Sequence, residues 1–309
     1  MQAGRIRIGT RGSALALAQA HEVCQRLMTA HGPTGMQVET VVIKTSGDRI
    51  QDRPLSEAGG KGLFTKEIEE ALLAGSIDLA VHSMKDMPSA LPDGLRIGAL
   101  LPRQDVRDAF VSLKWSALAD LPEGAVVGTS SLRRQAQILR VRPDARITSF
   151  RGNVDTRLRK LEDGLADATL LACAGLHRLG LAHRITSPVP PELMLPAVAQ
   201  GAIGIEVRAD DEATATLIAP LNHEPTALCI TAERAFLARL DGSCRTPIAG
   251  LAMLAGGRLS LRGQILSPDG SRSHETSREG APQEAIRMGE DAAAELLANA
   301  GPGFLAIGP

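Results

Sequence analysis

Short β-like runs alternate with helical patterns through the first two hundred residues, and this alternation limits the fold more than any other feature. Residues 5–10 alternate apolar and polar side chains like a half-buried strand. Residues 14–28 then place apolar side chains at helical spacing, behind Ser13 as a predicted N-cap. The same order recurs from residue 38 and again after residue 101. Such repetition predicts an α/β fold with largely parallel sheets.

Breaks in this pattern divide the chain into three predicted domains. A break near residue 101 and a Pro-rich stretch at 188–196 separate a first α/β domain (1–101 with 202–219) from a second (102–201). The pattern then changes to one helix, three strands and a final helix, which is typical of a small α+β domain. The predicted fold class is therefore α/β, with two sheet domains and a small α+β C-terminal domain at 220–309.

Composition excludes several classes of protein. The 34 basic and 35 acidic residues give a net charge of −1, which argues against sequence-independent nucleic-acid binding. Aromatic residues are only 2%, so we expect an aliphatic core without stacking platforms for single strands. The sequence shows no long uncharged apolar run, no secretory leader and no cysteine spacing typical of a metal site. We expect a cytoplasmic protein with reduced thiols and no metal.

Two predicted strand-to-helix turns place arginines where helix electrostatics disfavour them. Residues 128–134 (GTSSLRR) and 150–157 (FRGNVDTR) each follow a strand and begin a helix, with Ser130, Ser131 and Asn153 as suitable N-caps. A cation in the first helical turn costs about 0.3–1 kcal/mol, and a bound anion would reverse that effect. The pattern favours an anion site at the carboxyl edge of the sheet over solvated surface arginines.

Asp86 and Cys244 are the candidate reactive groups. Asp86 ends the motif HSMKD after a predicted strand. It either forms a surface ion pair with Lys85 or acts as a carboxylate that stabilises a cation and moves protons. Cys244 lies in a predicted loop beside Arg245, where a thiol ionises more easily than in a core. The other three cysteines lie in core-like patterns.

Several sequence blocks resemble the porphobilinogen deaminase family, and the resemblance covers nearly the whole chain. The blocks follow the family's order and are residues 9–16 (GTRGSALA), 60–64 (GKGLF), 82–88 (HSMKDMP), 128–134 (GTSSLRR), 151–153 (RGN), 200–201 (QG) and 240–247 (LDGSCRTP). The resemblance implies a transferase of haem biosynthesis that condenses four porphobilinogen molecules into hydroxymethylbilane and releases ammonia. It also implies a monomer with two sheet domains around a cleft, similar to periplasmic binding proteins, and no nucleic-acid, membrane or obligate protein partner.

The resemblance further implies roles for single residues. Asp86 would be the catalytic carboxylate, and Cys244 would carry a covalent dipyrromethane cofactor through a thioether bond. Further cofactor contacts would come from hydroxyl and cationic side chains, namely Ser83, Lys85, Ser131, Arg133 and Arg134. The substrate and the growing chain would be bound by Arg11, Ser13, Lys61, Phe64, Arg151, Arg157, Arg178 and Gln200. Lys61 falls in a Gly-rich stretch, residues 45–63, that is predicted to be a long functional loop.

Two other functions fit parts of the pattern. A non-catalytic anion-binding protein with the same two domains accounts for the arginines but not for Cys244 or the C-terminal domain. Acyl transfer through Cys244 lacks an evident histidine partner, because His223 is 21 residues away and His82 would have to approach through the fold. The intact mass of the protein separates these functions, since only the deaminase carries a covalent adduct of two pyrrole units.

Overall fold

The computed structural model describes residues 5–32, 36–49, 62–240 and 246–305, which form a mixed α/β fold. They divide into two units. Unit 1 contains residues up to 104 together with 202–227, and unit 2 contains residues 105–201 together with those from 228 onward. In the described ranges, no helix is long and apolar enough to cross a membrane.

Helices and strands are numbered in chain order. The strands are β1 (Arg5–Thr10), β2 (Gln37–Val42), β3 (Leu79–Ser83), β4 (Leu95–Leu100), β5 (Asp108–Ser112), β6 (Val126–Gly128), β7 (Arg146–Thr148), β8 (Ala168–Ala172), β9 (Ser187–Val189), β10 (Ile203–Arg208), β11 (Ile248–Ala255), β12 (Arg258–Leu266) and β13 (Ser273–Gly280). The helices are α1 (Ala14–His31), α2 (Ser46–Arg49), α3 (Lys66–Leu73), α4 (Leu132–Val141), α5 (Val154–Glu162), α6 (Cys173–Arg178), α7 (Glu212–Ile218), α8 (Glu224–Arg239) and α9 (Ala285–Ala300). Short 3₁₀ helices include Met84–Asp86, directly after β3.

Unit 1 is built on a five-stranded sheet of order β2-β1-β3-β10-β4. Strand β1 runs parallel to β2 and β3, whereas β10 is antiparallel to both β3 and β4. Strands β1, β2, β3 and β4 therefore run in the same direction and β10 alone is reversed, so the expectation of a largely parallel sheet is confirmed in this unit. Strand β10 enters the sheet from a distant part of the chain, and local periodicity carries no information about that pairing. Its Ile205 packs with Ile8 and Leu79 in an aliphatic core.

Unit 2 contains a second five-stranded sheet and a small three-stranded one. The larger sheet has the order β7-β6-β8-β5-β9, with β6 parallel to β7 and β8 and with β5 antiparallel to β8 and β9. The smaller sheet is the antiparallel series β11-β12-β13, against which α9 packs. The two sheet domains and the small C-terminal α+β domain of the sequence analysis are confirmed, whereas their residue boundaries stay a prediction.

Local sequence signals located most of the helix starts. Ser13 accepts a hydrogen bond from the Ala16 N–H, and Asn153 accepts one from the Thr156 N–H, so both are N-caps as predicted. Ser131 caps α4, while the Ser130 hydroxyl contacts Ser149 instead. The sequence pattern did not predict strands β4 and β9 or helix α7. It also missed α2, inside the stretch predicted to be a loop, and residues 50–61 of that stretch lie outside the described ranges.

A buried carboxylate on α8 fixes the turn that leads into β10. Glu233 is fully buried, and its two oxygens accept hydrogen bonds from the N–H groups of Ala199 (2.5 Å) and Ala252 (2.7 Å). Ala199 has φ 61°, the positive value that side chains with a Cβ rarely adopt, and no other described non-glycine residue has one. Glu233 therefore stabilises a strained backbone conformation directly before Gln200.

The Glu233→Gln variant should lower the free energy of unfolding by about 1–3 kcal/mol, because a glutamine can accept only one of the two N–H groups and leaves the other buried and unsatisfied. Urea unfolding of both proteins measures the difference. Glu290→Gln is the control, since Glu290 is exposed on α9. Equal stability of Glu233→Gln and the wild type would contradict this assignment.

Candidate functional site

A cavity of unit 1 lies at the carboxyl ends of β1 and β3. Its lining includes Arg11, Ser13, Phe64, Ser83 and Asp86, all of which the sequence analysis selected, and we call it the unit 1 cavity. Arg11 and Ser13 follow β1, and Asp86 ends the 3₁₀ helix after β3. Ligands commonly bind at this edge of an α/β sheet. The structure thus brings these five residues together.

Asp86 lies exposed at the edge of the unit 1 cavity. Among the described residues, its carboxylate makes no hydrogen bond or ion pair. The neighbouring Lys85 is half-buried. The structure therefore does not contain the surface ion pair between Lys85 and Asp86, and the Asp86 carboxylate remains available to a positively charged group in the cavity.

Arg11 is held between an aromatic ring and a carboxylate. Its guanidinium carbon lies 4.1 Å from the centroid of the Phe64 ring. Its Nε lies 3.2 Å and 3.3 Å from the two carboxylate oxygens of Asp48, and its Nη2 donates to the same group. Burial alone raises the pKa of Asp48, but hydrogen bonds from Arg11 and Thr45 outweigh it, so the pKa stays below its ordinary value.

Polar side chains of the unit 1 cavity lining also contact one another and a buried carboxylate outside the lining. Ser83 exchanges hydrogen bonds with the Gln19 side chain at 2.7 and 3.1 Å. His82 Nε2 lies 3.0 Å from the Glu206 carboxylate, and both side chains are almost fully buried. Burial raises the pKa of the nearby Glu69, Glu206 raises it further, and His82 opposes the rise. Sequence reasoning missed Glu69 and Glu206, because neither belongs to a motif and β10 joins the sheet from afar.

In unit 2, Arg133 and Arg134 at the start of α4 share one buried carboxylate. Arg133 Nη2 lies 2.8 Å from Asp108 Oδ2, and Arg134 Nη2 lies 2.7 Å from Asp108 Oδ1. All three side chains are at least nine-tenths buried. Burial raises the pKa of Asp108, but the charges and hydrogen bonds of the two guanidinium groups together outweigh burial, so the pKa lies well below its ordinary value.

This pairing corrects the argument from helix electrostatics. The sequence pattern predicts a bound anion as the partner of these arginines. In the structure, both arginines form ion pairs with Asp108, at the start of β5. The three charges sum to +1, so an excess positive charge remains in the cluster. Gln200 also belongs to it, since its buried amide donates to Asp108 Oδ1 (3.1 Å) and to the Val106 carbonyl (2.8 Å).

The remaining predicted cations of unit 2 are half-buried and already make contacts within the chain. Arg157 Nε donates to the Gly152 carbonyl at 3.0 Å, and Arg178 Nη2 donates to the Gly201 carbonyl at 3.0 Å. Arg151 contributes its own carbonyl to Lys160 Nζ at 3.3 Å. These hydrogen bonds orient the side chains of Arg157 and Arg178 at the ends of α5 and α6.

Lys61 and Cys244 lie outside the described residues. The other three cysteines are described and form no disulfide with one another. Cys173 is fully buried, and burial raises the pKa of its thiol to about 12. Burial also raises the pKa of Cys24. A raised pKa disfavours the reactive thiolate form of Cys24 and Cys173. Cys229 is also buried. In the part of the chain that the structure describes, no cluster of three possible metal ligands occurs.

Comparisons with known proteins assign this sequence to one family. The family model "Porphobilinogen deaminase, dipyromethane cofactor binding domain" matches residues 6–216, and "Porphobilinogen deaminase, C-terminal domain" matches residues 227–298. The porphobilinogen deaminase of Paracoccus denitrificans is 62% identical over 97% of this chain and 96% of its own length. That of Nitrobacter hamburgensis is 58% identical over 97% and 95%.

Solved structures with a similar chain path are more distant. A TRAP periplasmic solute binding protein from Desulfovibrio salexigens has a TM-score of 0.44 and 10% identity, over 71% of this chain and 72% of its own. The VFT2 domain of BvgS from Bordetella pertussis has a TM-score of 0.41 and 16% identity, over 71% of this chain and 84% of its own.

Asp108→Asn should lower the free energy of unfolding by about 3–5 kcal/mol at pH 7, because it leaves two buried guanidinium groups without their carboxylate. The folded-state pKa of Asp108 is lowered, so its charge adds to the free energy of unfolding. This contribution is complete above about pH 4, the ordinary aspartate pKa, and is lost as the pH falls further. The difference between variant and wild type should therefore shrink below pH 4. Urea unfolding at several pH values measures it.

Asp93→Asn is the matched control, because Asp93 is exposed in unit 1. Its stability should follow that of the wild type at every pH. A constant difference between Asp108→Asn and the wild type from pH 7 to pH 3 would show that the charge of Asp108 does not stabilise the fold.

Proposed function

The chain belongs to the porphobilinogen deaminase family, and from this membership we propose how its residues carry out the family reaction. It is a transferase, hydroxymethylbilane synthase, that polymerises porphobilinogen in tetrapyrrole synthesis. Four substrate molecules are joined head to tail and ammonia is released at each addition. The enzyme uses a dipyrromethane cofactor, which supplies the primer to which the substrate units are added.

Asp86 is the proposed catalytic carboxylate. The observation that carries this assignment is its exposed carboxylate, without a described partner, at the edge of a cavity that also contains Arg11. When the C–N bond of porphobilinogen breaks, ammonia leaves and the methylene-pyrrole becomes positively charged. A carboxylate stabilises that charge and accepts a hydrogen bond from the pyrrole N–H. Asp86 is the acidic side chain of this cavity lining that fits the role.

Cationic and hydroxyl side chains are proposed to bind the substrate and the growing chain. Each pyrrole unit brings an acetate and a propionate group, and a guanidinium binds such groups through two parallel hydrogen bonds. The proposed binding residues are Arg11, Ser13, Lys61, Phe64, Arg151, Arg157 and Arg178. Phe64 acts through Arg11, on which it stacks. Gln200, predicted to bind the chain, is proposed to act through Asp108, to which its amide already donates.

The unit 2 residues proposed to bind the cofactor fit its carboxylate groups. The Asp108 cluster retains a charge of +1, and Ser131 places a hydroxyl at the start of the same helix. We propose that Arg133, Arg134 and Ser131 hold cofactor carboxylates, together with Ser83 and Lys85 from unit 1. Cys244 is proposed as the single point of covalent attachment through its sulfur, supported by the buried settings of Cys173 and Cys229.

The binding partners, the localisation and the oligomeric state of the enzyme are proposed from the same family membership. Porphobilinogen is its small-molecule partner. We propose that it acts as a cytoplasmic monomer, with no nucleic-acid, membrane or obligate protein partner. The net charge of −1 supports the part of this proposal that excludes a nucleic-acid partner.

Cys244→Ser should purify without the covalent adduct of two pyrrole units and should be inactive, because a serine hydroxyl cannot form the thioether bond. Intact mass spectrometry measures the adduct, and peptide mapping locates it in the wild type. Cys24→Ser, at a half-buried position of α1, is the control and should keep both adduct and activity. An adduct mapped to Cys24, Cys173 or Cys229 would contradict the assignment.

Asp86→Asn should lower turnover by at least about 10²-fold, because it keeps the size and polarity of the side chain but removes the charge that stabilises the cationic pyrrole. Its thermal midpoint should stay close to that of the wild type, since Asp86 is exposed. Steady-state turnover is measured on protein whose loaded cofactor has been confirmed by mass. A loaded and stable variant with near wild-type turnover would remove Asp86 from the mechanism.

A further inference from the structure

Arg11 is the one arginine or lysine among the described residues that line the unit 1 cavity, and a carboxylate of the chain already binds it. Asp48 faces both the Nε and the Nη2 of the guanidinium. Asp48 itself is not part of the cavity lining. The guanidinium therefore meets the cavity on one side and an internal anion on the other.

The Asp48 carboxylate is itself held in place. The Thr45 hydroxyl donates to its Oδ2 at 2.8 Å, and the Asp48 N–H donates to the Thr45 carbonyl at 3.1 Å. Gly47, between them, leaves no room for a side chain, because a Cβ there would lie 2.3 Å from the Phe64 ring. The segment is thus packed against the same ring on which Arg11 stacks.

We propose that Asp48 is an internal competitor for the pyrrole carboxylate that Arg11 binds. This inference rests on the proposed substrate role of Arg11. An aspartate side chain presents the same group as the acetate of the substrate, and it forms the same paired hydrogen bonds to a guanidinium. It also cancels most of the positive charge that a ligand carboxylate would meet. Asp48 therefore weakens the binding of substrate at Arg11 and limits how long each unit stays there.

A structural ion pair on β1, the strand that precedes Arg11, provides the comparison. Arg7 of β1 pairs with Asp78, whose carboxylate also accepts the Arg7 N–H, and Arg7 Nη2 further donates to the Gly75 carbonyl at 2.8 Å. Neither member lines the unit 1 cavity. The Arg7–Asp78 pair joins β1 to the residue before β3, whereas Arg11–Asp48 is the pair in contact with the cavity.

The test is the effect of Asp48→Asn on substrate binding. Without the competing charge, the KM for porphobilinogen should fall by about three- to tenfold. Calorimetry should show a similar gain in affinity for a non-reactive analogue that keeps the acetate and propionate but has a methyl group in place of the aminomethyl group. The matched control, Asp78→Asn, should leave both values unchanged. An unchanged or raised KM in Asp48→Asn overturns the proposal.

A second variant, Thr45→Val, tests the proposal if Asp48→Asn does not fold. Thr45→Val keeps the shape of a fully buried side chain but removes its hydrogen bond to Asp48. Without this hydrogen bond the Asp48 carboxylate is held less firmly against Arg11. The KM should therefore also fall, by a smaller factor than in Asp48→Asn. If the KM rises or stays the same in this variant, the competitor role is overturned as well.

A double-mutant cycle with Arg11→Gln separates this inference from the proposed function. If Asp48 acts through Arg11, Asp48→Asn should change neither the KM nor the analogue affinity in the Arg11→Gln background. A KM that rises in Arg11→Gln but does not fall in Asp48→Asn overturns the competitor role alone. A KM that is unchanged in Arg11→Gln overturns the substrate role of Arg11, and the inference with it.

Discussion

The buried Asp108 carboxylate is the interaction on which unit 2 depends. It receives Arg133 and Arg134 from the start of α4 and the Gln200 amide from the turn before β10. The two guanidinium groups also donate to the Leu195 and Leu170 carbonyls, so one carboxylate at the start of β5 ties together four segments of chain. Removing the Asp108 charge would leave both guanidinium groups buried without a carboxylate, so the two arginine contacts depend on the same group.

Local patterns in the sequence identified what short-range physics determines. The N-caps Ser13, Ser131 and Asn153 follow from side-chain hydrogen bonds that span three residues, and the aliphatic cores follow from helical and strand periodicity. Asp86 and Arg11 could be selected because their motifs follow predicted strands, and the carboxyl ends of such strands meet at one edge of a sheet.

The charged contacts that sequence reasoning missed at the candidate site depend on distant pairings. Asp108 is 25 residues before Arg133, and Asp48 is 37 residues after Arg11, so no window of the sequence shows that these charges meet. The helix-dipole argument correctly singled out Arg133 and Arg134 as cations in unfavourable positions. It could not show that the chain brings its own carboxylate to them, and the same holds for Arg11.

The position of β10 has a consequence for the order in which the enzyme folds during synthesis. This strand lies between β3 and β4, yet more than one hundred residues separate it from either of them along the chain. The inner edges of β3 and β4 therefore leave the ribosome long before their partner does, while the intervening residues can build their own sheet first. Until residue 208 has emerged, the edges of β3 and β4 lack their partner strand, and unpaired strand edges promote aggregation.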